Sequence, residues 1–166
     1  MPGREAVATN RDFNDLFCAF NARDVRYLVV GAYAVTFHAR PRFTQDLDVW
    51  IDPAPDNARR VWEALAAFGA PVRELSPEDL STAGLVVQLG VAPNRIDVLT
   101  GIEAVEFAEA WPRRADTHYG DTPIHVISRE HLLRNKRTLA RPQDLLDVEN
   151  LERAAASPPP SGDPPR

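Results

Sequence analysis

The chain has 166 residues, 44% of them hydrophobic, and a net charge of −5. This length and apolar content exclude a wholly disordered chain and favour one compact domain. The acidic balance argues against a protein that binds nucleic acid over its whole surface. The longest stretch without a charged residue, 80–94, falls short of the ~18 residues that a membrane span needs, so we expect no membrane partner.

Cysteine usage and the N-terminus bear on the compartment. Cys18 is the one cysteine in the sequence. It cannot form an internal disulfide, so a reducing, cytoplasmic location is expected. We expect Cys18 itself to be a small core residue. Residues 1–12 contain no apolar segment of the kind that a secretory signal requires.

Hydrophobic periodicity, cap residues and Gly or Pro stops predict the elements in chain order. Helices are predicted at 11–22, 32–39, 55–68, 105–111, 128–139 and 142–156. Strands are predicted at 26–31, 46–52, 84–89, 95–99 and 122–127, with the third and fourth forming a hairpin. This order predicts an α+β (mixed α/β) fold, as one domain over residues 1–156, with a sheet in the middle and helices at the end. The tail 157–166 is rich in Pro and is predicted to be disordered.

Two carboxylates lie two residues apart on the second predicted strand. Asp46, Asp48 and Trp50 share one face of it, and the alternate residues form a single buried face. Two carboxylates about 6.6 Å apart at their Cα atoms repel each other unless a cation lies between them. Carboxylate oxygens are ligands suited to Mg²⁺ (or Mn²⁺). The alternative is that both side chains belong to a solvated outer face.

A third carboxylate, Asp97, is flanked by apolar residues on the predicted strand 95–99. If this strand neighbours the strand of Asp46 and Asp48, Asp97 completes a site for one or two divalent ions that serve phosphoryl transfer. Taken alone, an acidic residue such as Asp97 is more often a turn or edge residue.

Phosphate-binding features surround these carboxylates. Gly31 and Ala32 lie at a strand-to-helix turn, where backbone N–H groups and the helix N-terminus can face a triphosphate. Arg40, Arg42 and Thr44 precede the acidic strand and could contact phosphate oxygens. Packing alone also explains a Gly at such a turn, and Arg42 is also compatible with a solvated loop.

Read together, three segments carry a resemblance to a known superfamily. They are Val30-Gly31-Ala32-Tyr33-Ala34, then 42–49 with its Arg-Phe-Thr-Gln-Asp-Leu-Asp-Val, then Ile96-Asp97-Val98. This combination resembles the DNA-polymerase-beta-like nucleotidyltransferase superfamily, in particular its small bacterial branch of minimal nucleotidyltransferases and abortive-infection type nucleotidyltransferase toxins. The segment 128–147, with Lys136, is similar to the C-terminal helix of that branch.

The resemblance implies a nucleotidyltransferase fold and the transfer of a nucleoside monophosphate from an NTP to an acceptor hydroxyl, on RNA such as tRNA or on protein. By this resemblance Asp46, Asp48 and Asp97 bind the metal ions, and Asp97 helps to deprotonate the acceptor. Lys136, with Arg137 or Arg141, neutralises the triphosphate. That role accounts for the one basic patch, 129–141, which has five basic residues against one acidic residue; a solvated helix face is the alternative.

The remaining implications concern partners and neighbouring carboxylates. Small members of this branch often act beside a second protein, so a toxin–antitoxin role with a cognate partner is implied. Asp144 and Asp147 either orient Lys136 or Arg141, or only cap and salt-bridge the last helix, and the second role is favoured for Asp147.

One departure from the motif keeps other functions open. Ala32 stands where the branch has Gly or Ser, so it offers no hydroxyl to a phosphate. A catalytically weak or inactive binding or regulatory module, of the antitoxin kind, is therefore the second hypothesis. A nucleotide-sugar glycosyltransferase, which also uses Asp-x-Asp, is the third, although 166 residues are few for its donor domain.

Overall fold

The computed structural model describes residues 9–41, 44, 46–91 and 93–156. The predicted disorder of 157–166 and the predicted phosphate contact of Arg42 lie outside the described residues. The helices are α1 (Arg11–Asn21), α2 (Gly31–His38), α3 (Pro55–Phe68), α4 (Phe107–Ala110), α5 (Arg129–Leu139) and α6 (Pro142–Ala156). The strands are β1 (Tyr27–Val30), β2 (Asp46–Ile51), β3 (Val86–Leu89), β4 (Arg95–Leu99), β5 (Ala115–Tyr119) and β6 (Thr122–Val126). Short 3₁₀ turns lie at Asp79–Ser81 and Trp111–Arg113.

In the described part of the chain, six strands form one mixed sheet in the order β3-β4-β2-β1-β6-β5. β1 runs antiparallel to β2 and parallel to β6, and β2 runs parallel to β4. The hairpins β3–β4 and β5–β6 close the two sides of the sheet. The α+β fold class and the first of these hairpins are therefore confirmed. The central pair β2–β4 joins the two predicted acidic strands directly.

Helix α1 shows why the core predictions succeed and where one fails. The side chain of Asn10 caps its first turn by accepting from the backbone N–H of Asp12, and its buried stripe is Phe13, Leu16, Phe17 and Phe20. Cys18 is exposed, so its expected place in the core was wrong. It follows Phe17 by about 100° around the helix, which turns it away from the buried stripe.

Three further differences from the expected elements have local causes. β5 was not predicted, because its alternating half-buried and exposed residues include Asp116 and His118 and give no apolar signal. α2 begins at Gly31, one residue before its predicted start. The face of β2 that carries the aspartates is not wholly polar, because the Trp50 ring is buried there against the edge of Phe107, with ring centroids 5.0 Å apart.

The C-terminal helices end the fold as predicted. The Ser128 hydroxyl accepts from the backbone N–H of His131 and caps α5, and Pro142 lies in the first turn of α6. α5 packs on α6, and both contact α2. Within the described ranges, every helix is too short or too polar to cross a membrane.

Candidate active site

Four charged residues form a square on one face of the sheet. In the parallel pairing of β2 and β4, Asp46 is opposite Arg95 and Asp48 is opposite Asp97. Residues opposite each other, and residues two apart on one strand, point to the same side, with neighbouring strands about 4.8 Å apart. The two acidic strands therefore do neighbour each other, and three carboxylates share one surface with one guanidinium. We call Asp46, Asp48, Arg95 and Asp97 the charged square.

Asp48 is the most perturbed of the three carboxylates. Burial, together with the nearby charges of Asp97 and Asp46, raises its pKa to about 6, against the lowering effect of Lys136 and Arg95. A carboxylate in this position is poorly hydrated and is repelled by its neighbours. Bringing these carboxylates together therefore costs electrostatic free energy, which an added cation would reduce.

Gly31 allows Asp48 to occupy this position. β1 runs straight into α2 at Gly31, whose φ of +65° is in the left-handed region. A Cβ at Gly31 would overlap Oδ2 of Asp48 and lie 3.1 Å from its Cγ. Glycine is therefore favoured at this position for two reasons. It adopts a positive φ without strain, and its lack of a Cβ lets the backbone approach the carboxylate of Asp48 closely. The predicted strand-to-helix turn is present, with Asp48 against the N-terminus of α2.

Arg95 is the functional residue that sequence reasoning missed. Its Nε donates to Oδ1 of Asp97 at 3.2 Å and its Nη2 donates to Oδ2 at 3.0 Å. Its Nη1 lies 4.0 Å from Oδ2 of Asp46. The Arg-x-Asp spacing on a strand was the available signal, because it places both side chains on one face. This planar fork covers both oxygens of Asp97.

The carboxylates of the charged square are the kind of ligand that a divalent cation takes, but one of them, Asp97, is hydrogen-bonded to Arg95. Three carboxylates on one face of the sheet offer the hard oxygen donors that Mg²⁺ or Mn²⁺ takes. In the residues described, however, no group of three or more His, Cys, Asp or Glu side chains is arranged so that it could hold a metal ion as it stands. In this arrangement the guanidinium of Arg95 covers both oxygens of Asp97.

Lys136 lies in a buried ion cluster beside this square. Its Nζ lies 3.0 Å from Oδ1 of Asp144 and 3.1 Å from Oδ2 of Asp147. All three side chains are buried, with exposures of 6%, 1% and 1%. Burial alone would raise the pKa of Asp144, but the hydrogen bonds from Arg141 and Lys136 bring it below its ordinary value. Asp147, expected mainly to cap or salt-bridge the last helix, in fact holds Lys136 together with Asp144.

The other predicted nucleotide-binding residues surround the same cleft. Arg141 is 68% exposed and its Nε donates to Oδ2 of Asp144 at 2.6 Å. The Thr44 hydroxyl donates to the backbone oxygen of Asp46 at 3.2 Å, which orders the start of β2. Ala32 lies in the first turn of α2 and also lines the cleft. The structure thus brings Gly31, Ala32, Thr44, Lys136 and Arg141 to the carboxylates.

The cleft that contains these groups has a volume of about 1100 Å³. Ligand sites commonly measure ~300–1,000 Å³, so this cleft is at the upper end of that range. Trp50, Phe107, Glu103 and Glu106 also line this cleft. Its lining therefore combines the carboxylates and the helix N-terminus with aromatic and further acidic side chains.

Comparison with solved structures identifies the fold. The antibiotic-resistance factor ANT(2'')-Ia matches with a TM-score of 0.54 at 15% identity, over 87% of this chain and 81% of that one. The lincosamide antibiotic adenylyltransferase LnuA in its lincomycin-bound crystal structure matches with 0.53 at 18%, over 89% and 98%. TM1012 of Thermotoga maritima, assigned to the nucleotidyltransferases, matches with 0.54 at 15%, over 88% and 91%. No family model matches the sequence, and no curated protein sequence matches it significantly.

These similarities define the class of architecture. The chain has the nucleotidyltransferase fold, a mixed sheet flanked by helices, as the resemblance of its motifs implied. The identities of 15–18% show a shared fold. The activity must be argued from the site itself.

Proposed function

We propose that the protein transfers a nucleoside monophosphate from an NTP to an acceptor hydroxyl. The observation that carries this proposal is the register of β2 and β4, which places Asp46, Asp48 and Asp97 on one face beside the N-terminus of α2. Asp46, Asp48 and Asp97 would hold Mg²⁺ or Mn²⁺, which when bound neutralises phosphate charge and polarises the reacting oxygens.

The remaining steps belong to the chain's own groups. Backbone N–H groups at Gly31 and Ala32 bind phosphate oxygens, as helix N-termini do. Lys136 and Arg141, which also line the cleft, supply positive charge. The acceptor oxygen forms a bond to the α-phosphorus as the bond from that phosphorus to the α,β-bridging oxygen breaks. Pyrophosphate leaves with that electron pair, and the hydroxyl proton passes to a carboxylate oxygen of Asp97.

The charge of the cleft bears on the acceptor. Asp52, Glu103 and Glu106 line its acidic side, and within the described residues its cationic lining consists of Lys136 and Arg141, both ion-paired. An RNA acceptor would bring a polyanion to this wall. A small hydroxyl-bearing amine or a hydroxyl on a protein suits it better. The lincomycin-bound structure of LnuA supports a small-molecule acceptor by analogy.

A second candidate function is a nucleotidyltransferase-fold binding module without turnover, of the antitoxin kind. Two observations favour it. Ala32 offers no hydroxyl to a phosphate, and Arg95 is bound to the carboxylate of Asp97. A toxin–antitoxin role with a cognate partner protein is supported by the motif resemblance alone and applies to either candidate.

The discriminating experiment uses NTPs labelled at the α-phosphate, with Mg²⁺ and three acceptor pools: amino alcohols and amino sugars, tRNA, and cell protein. We expect label transfer that Asp48→Asn and Asp97→Asn abolish and that Asp15→Asn, an exposed control on α1, preserves. NTP binding with no labelled acceptor supports the binding module. Label transfer that survives Asp48→Asn contradicts the assigned site.

A further inference from the structure

The charged square contains a positive charge of its own. Arg95 is opposite Asp46 on the neighbouring strand and two residues before Asp97 on its own strand. It makes two hydrogen bonds to Asp97 and lies within ion-pair distance of Asp46. Asp97 is mostly buried, with 13% of its side chain exposed, and its carboxylate is paired with Arg95. Arg95 therefore neutralises part of the square in the unliganded protein.

Arg95 and a divalent cation require the same oxygens. The guanidinium covers both carboxylate oxygens of Asp97, at 3.2 and 3.0 Å. A doubly charged cation bound to either oxygen would lie a few ångströms from this positive charge and would repel it. Arg95 is 38% exposed, so its side chain has solvent to move into. The two positive charges are thus alternative counter-ions for Asp97.

We propose that Arg95 is a displaceable counter-ion of the charged square, and that a divalent cation binds by moving its guanidinium off Asp97. This inference rests on the proposed function, because it concerns the same cation site. It makes Arg95 a positioning residue, which holds the carboxylates together in the unliganded protein and sets the cation concentration at which the site fills.

The first test measures Mn²⁺ affinity by electron paramagnetic resonance on the full chain without nucleotide. Arg95→Ala is expected to bind Mn²⁺ about tenfold more tightly, the lower end of what a charge-assisted hydrogen-bonded pair contributes at a partly exposed site. Arg59→Ala removes an exposed arginine on α3 and is expected to leave the affinity unchanged. The tenfold gain should persist at about 0.5 M KCl, where long-range charge effects are screened. A gain that disappears in salt contradicts displacement.

The second test observes the guanidinium directly. The Nε–H resonance of Arg95, assigned by its absence in Arg95→Lys, reports the hydrogen bond to Asp97. Saturating Mg²⁺ is expected to shift this resonance and speed its exchange with water, because the Nε–H loses its acceptor. A resonance that stays in place while Mg²⁺ binds overturns the proposal, since Arg95 then remains on Asp97.

These results separate this inference from the proposed function. If the wild type binds Mn²⁺, Asp97→Asn does not, and Arg95→Ala matches the wild type, the cation site stands and the displacement is refuted. If neither the wild type nor Arg95→Ala binds Mn²⁺, with or without nucleotide, both proposals fail. As a check on folding, Arg95→Ala is expected to unfold at a lower temperature than the wild type in EDTA and to regain stability when Mn²⁺ is added.

Discussion

Asp48 makes the stability of the unliganded protein depend on pH in a direction that the structure fixes. Burial, with the charges of Asp97 and Asp46, raises its pKa from 3.8 to about 6. The folded state therefore holds the proton more tightly than the unfolded state. The stabilisation from the neutral carboxyl is fully present below about pH 4 and is lost as the pH rises through about 6. Mutation to Asn keeps the shape of the side chain and removes this titration.

The size of the effect follows from the shift in pKa. A rise from 3.8 to about 6 corresponds to roughly 3 kcal/mol at pH 8, at ~1.4 kcal/mol for each pKa unit. Asp48→Asn should therefore be more stable than the wild type by up to about 3 kcal/mol at pH 8 in EDTA, or roughly 6–12 °C in Tm for a domain of this size. The difference should shrink to near zero as the pH approaches 4.

Urea denaturation at several pH values, with EDTA throughout, measures this difference. Asp15→Asn, on an exposed position of α1, serves as the control and should show no such trend. Added Mg²⁺ should stabilise the wild type and close the gap, because a bound cation relieves the ionised carboxylate. A difference between Asp48→Asn and wild type that is flat from pH 4 to pH 8 would refute the electrostatic account of this residue.

Two other substitutions, Gly31→Ala and Lys136→Met, test neighbouring parts of the site, and each has a matched control. Gly31→Ala and Gly69→Ala both place a side chain at a positive φ and should each cost at least about 1 kcal/mol in unfolding free energy, with the larger loss at Gly31, where the Cβ meets Asp48. Only Gly31→Ala should also weaken Mn²⁺ binding, because its Cβ overlaps Asp48 whereas Gly69 has open space; equal binding by the two variants would contradict the close approach. Lys136→Met removes the buried ammonium that pairs with both Asp144 and Asp147 and should cost ~3–5 kcal/mol by chemical denaturation. Its exposed neighbour Arg137→Met should cost less than about 0.5 kcal/mol, and similar losses for both would argue against the buried cluster.

Local patterns in the sequence predicted much of the fold because they have local causes. α3 and α6 have the bounds that were predicted. A Pro in the first turn marks the start of each helix, and Gly69 marks the end of α3. β5 was missed because it belongs to the sheet through its pairing with β6. The polarity of residues 115–119 alone does not indicate a strand. The exposed position of Cys18 was within reach, since the stripe of Phe13, Leu16 and Phe20 already turns it outward.

The sequence predicted the three aspartates of the candidate site, but it did not predict the place of Arg95 among them. Alternation on β2 placed Asp46 and Asp48 together, and the β2–β4 pairing on which the role of Asp97 depended is present. The pairing of Arg95 with Asp97 follows from their spacing of two residues on one strand, but the position of Arg95 opposite Asp46 depends on register across two strands, which sequence spacing alone does not fix. The same limit applies to Lys136, whose partners come from the next helix and could be named as candidates only.

The central claim is that three aspartates on two paired strands form one cation and nucleotide site. The most direct measurement is a titration of Mn²⁺, followed by electron paramagnetic resonance, in the presence of an NTP analogue that cannot be cleaved between its α- and β-phosphates. If these aspartates share one site, the wild type binds Mn²⁺, and we expect Asp46→Asn, Asp48→Asn and Asp97→Asn each to weaken binding at least about tenfold. Variants that fold and bind Mn²⁺ as the wild type does would contradict it.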